Sequence, residues 1–156
     1  MFLFSRTLDP VEVHRIVTEP SVYRMSGDDG TPAREEYPVS PLHPAVWHVM
    51  VCGQSGREMG LLVFQPMNQI TWACHCCLLP AAYGKSAEIL AQAFQWIWKQ
   101  PTGCRRIEAR IPAFNRLALQ LASKAGMMRM CETERSFMRG GELWNETLFC
   151  VRKPED

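Results

Sequence analysis

The sequence contains no apolar run long enough to cross a bilayer. The candidate at its amino end, Met1-Phe2-Leu3-Phe4, falls far short of the roughly 20 residues a membrane helix needs. It does not form a secretory leader pattern either, so a signal peptide is not expected. Neither sign of charge prevails. With a net charge of +1, nothing global calls for nucleic acid or an anionic membrane surface. Internal repeats and low-complexity tracts are missing as well. The one Cys-x-x-Cys spacing lies within Cys74-His75-Cys76-Cys77, and no second pair or ligand cluster accompanies it to complete a structural zinc site.

What is present fits a single globular domain. The chain has 156 residues, enough for a substantial core, with 47% apolar and 21% charged residues. Its seven cysteines are an odd number and lie mostly inside apolar segments. Reduced, buried thiols in a cytoplasmic setting are the expectation. Charge is uneven along the chain. Met1 to Ser40 holds four basic and seven acidic residues, and Cys104 to Gly140 holds eight basic and three acidic. The basic stretch suits an anionic ligand or simply a solvated face. Its arginines fall on several predicted elements with no aromatic platform among them, which argues against nucleic acid as a partner.

Periodicity supplies the elements. Asp9-Pro10 opens a helix carrying Val13, Ile16 and Val17 at helical spacing. Ser26 to Pro44, rich in Gly, Pro, Asp and Glu, reads as a loop of the length used for lids and binding segments. Three strands of an antiparallel meander follow: Ala45–Cys52, Glu58–Gln65 and Ile70–Leu79. The third is almost continuously apolar, as expected of a strand covered on both faces. A helix over Ser86–Gln100 shows Leu90, Ala93, Phe94 and Ile97 as one stripe. Arg105–Ile111 is a strand. Asn115–Gly126 is a helix with Leu117, Leu121 and Ala122 predicted to face inward. Strands at Met128–Met138 and Glu146–Lys153 close the chain, joined by a turn over Arg139–Asn145. The order predicts an α/β sandwich with a mixed sheet, the Ser86 helix crossing between parallel strands.

Between the third strand and that helix lies Tyr83-Gly84-Lys85-Ser86, a small turn feeding a helix amino end. Free amides and the helix dipole make such ends phosphate sites. Gly84-Lys85-Ser86 also matches the end of a Walker A loop. That motif needs a glycine at position 79, where Leu79 stands, so nucleotide hydrolysis is excluded.

Several features together resemble the GNAT acetyltransferases over about Val46 to Val151. They are the order of elements, the turn Pro80-Ala81-Ala82-Tyr83-Gly84-Lys85-Ser86-Ala87, the run Arg110-Ile111-Pro112-Ala113-Phe114-Asn115-Arg116-Leu117-Ala118, and Ala122-Ser123-Lys124-Ala125-Gly126-Met127. The resemblance implies a GNAT-like mixed, mostly antiparallel central sheet flanked by helices, in one domain over residues 1–156. It implies acetyl-CoA as co-substrate, with the pyrophosphate on the amides of Tyr83, Gly84, Lys85, Ser86 and Ala87. The pantetheine arm would run along the strand end at Leu78 and Leu79, with Asn115 as a further contact. The acetyl group would then face an amine acceptor, a small molecule or a protein; a homodimer is compatible with this reading. A likeness to a phage- and prophage-encoded branch described as head-assembly proteins implies the alternative. That protein would keep the fold without CoA and bind phage structural proteins in a virion.

Some residues depart from the family pattern. Tyr83 replaces a side-chain donor, Ser86 stands where a glycine belongs, and Glu88 puts a carboxylate in the first helical turn, where it could repel a diphosphate. Asn115–Gly126 holds no tyrosine to protonate a leaving thiolate. His75 is the candidate catalytic base, and a structural histidine is the competing reading. Alternation puts His75 and Cys77 on one face of the strand and Cys74 and Cys76 on the other. That arrangement gives no metal site and leaves a nucleophilic Cys77 without an orienting third group. Asn115 has a competing role as an ordinary helix N-cap.

Overall fold

Largely apolar strands rich in β-branched and aromatic residues build a seven-stranded sheet in the order β1-β2-β3-β4-β5-β7-β6. The computed structural model describes residues 1–155. Its strands are β1 (Phe2–Thr7), β2 (Trp47–Gly53), β3 (Glu58–Pro66), β4 (Thr71–Leu78), β5 (Arg106–Pro112), β6 (Met128–Arg139) and β7 (Glu142–Arg152). The helices are α1 (Pro10–Val17), α2 (Pro20–Tyr23), α3 (Ser86–Trp98) and α4 (Arg116–Lys124). Every neighbouring strand pair is antiparallel except β4 with β5. The mixed, mostly antiparallel sheet flanked by helices is the expected architecture. No helix among the described residues is long and apolar enough to cross a membrane.

The sheet is buried on both faces at its centre. On one face Val49, Val51, Leu62, Phe64, Trp72 and Cys74 meet Leu90, Phe94 and Ile97 of α3. On the other, Met50 and Leu61 meet Val13 and Ile16 of α1. Caps set the helix starts. Asp9 accepts a hydrogen bond from Val11 N at 2.9 Å, and Asn115 accepts one from Ala118 N at 3.1 Å, each worth ~1 kcal/mol.

Three differences from the sequence reading have physical causes. β1 was not expected. Phe2 and Phe4 pack into the core while Leu3 between them stays 57% exposed, so an apolar residue on the outer face hides the alternation. β7 begins at Glu142, not Glu146, because Gly140 and Gly141, at φ 63° and 73°, make a two-residue turn where a longer one was expected. Leu117, expected to face inward, is 74% exposed and stands on the wall of a cleft.

One glycine shapes the end of β4. Beside a bulge in the β2–β3 ladder, Gly60 takes φ +134°, and a Cβ there would lie 2.3 Å from the Cys77 carbonyl oxygen and 2.8 Å from Leu78 Cα. Only glycine lets β3 approach the final residues of β4 this closely.

Candidate active site

The parallel join between β4 and β5 is short. Thr71, Trp72 and Ala73 pair with Arg106, Ile107 and Glu108, and among the described residues no pairing continues beyond them. Both strands run on, β4 to Leu78 and β5 to Pro112, so the sheet opens between them. The direction of the free main-chain groups follows from the β3–β4 register. Leu79 N donates to Met59 O on β3 at 2.9 Å, so His75 and Cys77 bond toward β3 by alternation. The main-chain groups of Cys76 and Leu78 therefore face the opening.

The amino end of α3 closes the far end of this opening. Gly84 at φ +81° turns the chain into the helix, and a Cβ there would meet nothing within 4 Å. Lys85 is the N-cap residue and gives no side-chain capping bond; its own amide donates to Ala82 O at 2.9 Å. The Ser86 hydroxyl also donates to Ala82 O, at 3.1 Å, and so turns back from the helix amides. Glu88 does not cap them either. Its carboxylate accepts a bond from Gln92 Nε2 at 2.9 Å, one turn further along the helix. The first-turn amides of α3 thus have no side chain bound to them, which is the condition for receiving an anion.

A cleft of about 470 Å³ joins these parts. Leu78, Tyr83, Gly84, Ser86, Ala87 and Asn115 line it, which brings together most of the residues singled out from sequence. Lys85 is exposed beside it. Leu79 and His75 are not on its walls. Leu79 packs on the opposite face of the sheet, against the α1 cluster. Cys76, from the other face of β4 to His75, does line it. Sequence reasoning missed the α4 wall, formed by Leu117, Gln120, Leu121 and Lys124, and the α2 wall, formed by Ser21, Val22 and Met25. The α4 positions recur at helical spacing, so an exposed Leu117 in line with Lys124 was the available signal. Asn115 serves α4 as its cap with the same oxygen it would offer a ligand.

His75 stands in a second cavity of about 620 Å³ on the α1 face of the sheet. Tyr23, Tyr37 and Asp28 line it with His75, and Ser26 lines both cavities. The Tyr23 and Tyr37 rings meet edge to face at 5.6 Å, and the His14 ring contacts Tyr37 O through Nε2 at 2.9 Å. Although part of the His75 ring meets solvent, the chain packed around the rest lowers its pKa by desolvation. His75 is therefore neutral at pH 7 and able to accept a proton. Burial pushes the Cys77 thiol up to about 12, so it stays protonated and is no nucleophile. The Cys74 thiol is raised too, first by its contact with Cys76 and then by burial. Among the described residues no group of three or more His, Cys, Asp or Glu side chains is placed to hold a metal.

The histidine shifts make stability depend on pH. His48 is also lowered, by desolvation and then by the positive charge of Arg6. Both rings hold protons less readily folded than unfolded. Their contribution is complete above the unfolded value of about 6.5 and is lost as pH falls through the folded values. Urea midpoints are expected to drop from pH 7.5 to pH 5.5, with a shallower slope in a His48→Gln, His75→Gln double variant. An equal slope in parent and variant would refute these assignments.

No protein-family model matches the sequence, and no curated protein matches it. Solved structures match its fold. The spermidine N-acetyltransferase SpeG from Vibrio cholerae, in complex with CoA and spermine, superposes with a TM-score of 0.76 at 12% identity, over 97% of this chain and 95% of that one. A protein assigned as a phosphinothricin N-acetyltransferase gives 0.72 at 17% identity, over 99% and 100%. One from Acinetobacter baylyi ADP1, assigned as an acetyltransferase, gives 0.73 at 12% identity, over 100% and 97%. The fold is that of the GNAT N-acetyltransferases.

Proposed function

We propose that the protein is an acetyl-CoA-dependent N-acyltransferase whose acceptor is a cationic amine. The observation that carries this reading is the parting of β4 from β5 beyond Ala73 and Glu108, which leads to the uncapped amino end of α3. A diphosphate would sit on the Ser86, Ala87 and Glu88 amides, with Lys85 and Lys124 nearby as positive charges. The pantetheine arm, itself an extended amide chain, would follow the exposed main chain of Cys76 and Leu78 as an added strand does. Leu117, Leu121 and Ala118 supply the apolar wall beside it.

The acceptor would come from the other side of β4. Its cavity combines two tyrosine rings with Asp28, whose Oδ1 is taken by Gly30 N and the Thr31 hydroxyl. Four acidic residues and one arginine between Ser26 and Pro44 make the surrounding segment favourable to a cation. In the transfer, the bound ammonium first gives up one proton to water, and the neutral amine then attacks the thioester carbonyl carbon. A C–N bond forms, the C–S bond breaks, and the thiolate leaves. The amine proton passes to His75 directly or through water. Holding both reactants on one strand supplies most of the acceleration, ~7–11 kcal/mol at best. The seven cysteines are all free thiols, which suits a reducing compartment such as the cytoplasm. The non-catalytic alternative draws on Glu88, on Ser86 in place of a glycine and on the absence of a tyrosine from α4; of these, Glu88 is bound to Gln92 and does not shut the turn.

Calorimetric titration with acetyl-CoA tests the reading. Saturable binding below about 100 μM is expected, about −5.5 kcal/mol or tighter. No heat at millimolar ligand would end it.

A further inference from the structure

The loop over the His75 cavity is fastened from outside. Ser26, Gly27, Asp28, Gly30, Thr31 and Pro32 all line that cavity, and all lie within three residues of Asp29. Asp29 is not on the wall. Its carboxylate reaches the β6–β7 turn, where Oδ1 accepts from Gly140 N at 2.6 Å and Oδ2 from Gly141 N at 2.9 Å. Its own amide donates to Met138 O at 3.1 Å. Gly140 and Gly141 both have positive φ, 63° and 73°, so two successive amides converge on one acceptor group. A second tie lies alongside. Arg139 donates to Arg24 O and rests its guanidinium 4.7 Å above the Phe114 ring. The hydrogen bonds among these contacts join segments more than a hundred residues apart in sequence.

We propose that Asp29 is a positioning residue for the acceptor cavity, holding the 26–32 segment over His75 by clasping the Gly140–Gly141 turn. The proposal rests on reading that cavity as the acceptor site. The geometry separates it from the acyl-donor cleft: the Asp29 clasp touches β6–β7, whereas the cleft is built from β4, α2, α3 and α4, with Ser26 alone lining both cavities. Releasing the carboxylate therefore loosens one wall of the acceptor cavity and leaves the α3 amides as they are. Asn at position 29 keeps the size but presents one NH2 group to amides that both need an acceptor.

The test uses the full chain and needs no known acceptor. His75 modification by diethyl pyrocarbonate is followed by peptide mass spectrometry, with exposed His43 as internal reference. In Asp29→Ala and Asp29→Asn, His75 is expected to react at least fivefold faster and His43 at an unchanged rate. Amide exchange across 26–37 and 138–142 should rise about tenfold, while the α3 peptides stay unchanged. The acetyl-CoA dissociation constant should move less than threefold. A purely structural residue would instead lower the thermal midpoint and speed exchange throughout. Should Asp29→Ala fail to fold, Asp29→Asn carries the same readouts. Unchanged His75 reactivity in a variant that binds acetyl-CoA overturns the clasp alone. Absence of acetyl-CoA binding in the parent overturns the site assignment on which its role depends.

Discussion

A Ser86→Asp protein is expected to lose acetyl-CoA binding by about ten- to a hundredfold while melting no lower than its parent. The opposite signs come from one charge. At the first position of α3 a carboxylate faces the unbonded amides and the positive end of the helix dipole, a stabilising placement of ~0.3–1 kcal/mol. The same carboxylate occupies the place proposed for the diphosphate. Like charges a few ångströms apart near a surface repel by up to about 4 kcal/mol before screening. Ser86→Ala is the control: it removes only the bond to Ala82 O, and binding should change by less than about threefold. Thermal melts and titrations on both variants check the pair. A Ser86→Asp protein that still binds acetyl-CoA like the parent would place the ligand elsewhere.

The second large effect is on the fold. Gly60→Ala should destabilise the protein by about 3 kcal/mol or more, since two penalties coincide there. A side chain at φ +134° is strained wherever it occurs, and this one would also press on the Cys77 carbonyl and the Leu78 backbone. Those are fixed main-chain atoms of β4, not the movable tip of a side chain. Relief requires β4 to shift away from β3, which moves the strand end that borders the cleft. Gly84→Ala makes the contrast. Its φ of +81° is also unfavourable, but open space surrounds the added methyl. That variant should lose only about 1–2 kcal/mol. Denaturant midpoints rank the two; equal losses would mean that the close approach at Gly60 is unimportant.

Much of this was readable in the residues, and the failures are instructive. The meander, the α3 stripe of Leu90, Ala93, Phe94 and Ile97, and the Asn115 cap each rest on local chemistry that repeats or punctuates. They stand where periodicity put them. β1 was hidden because its outward Leu3 breaks the apolar–polar alternation. The role of Glu88 was not readable either. A carboxylate in a first turn can serve the dipole or its neighbour at i+4, and Gln92 decides between them only once the helix is built. His75 and Cys76 were correctly placed on opposite faces. That each face carries its own cavity depends on where α1, α2 and α4 pack, which no single strand encodes. The Asp29 clasp is the extreme case: its partners lie at the other end of the chain.

The three-pair join between β4 and β5 also has a mechanical meaning. It leaves the sheet as two plates, one of four strands and one of three, hinged along a seam barely 10 Å long. A rod laid in the gap would brace one plate against the other. Occupancy and rigidity then rise together, and an occupied protein should resist heat in proportion to the logarithm of ligand concentration.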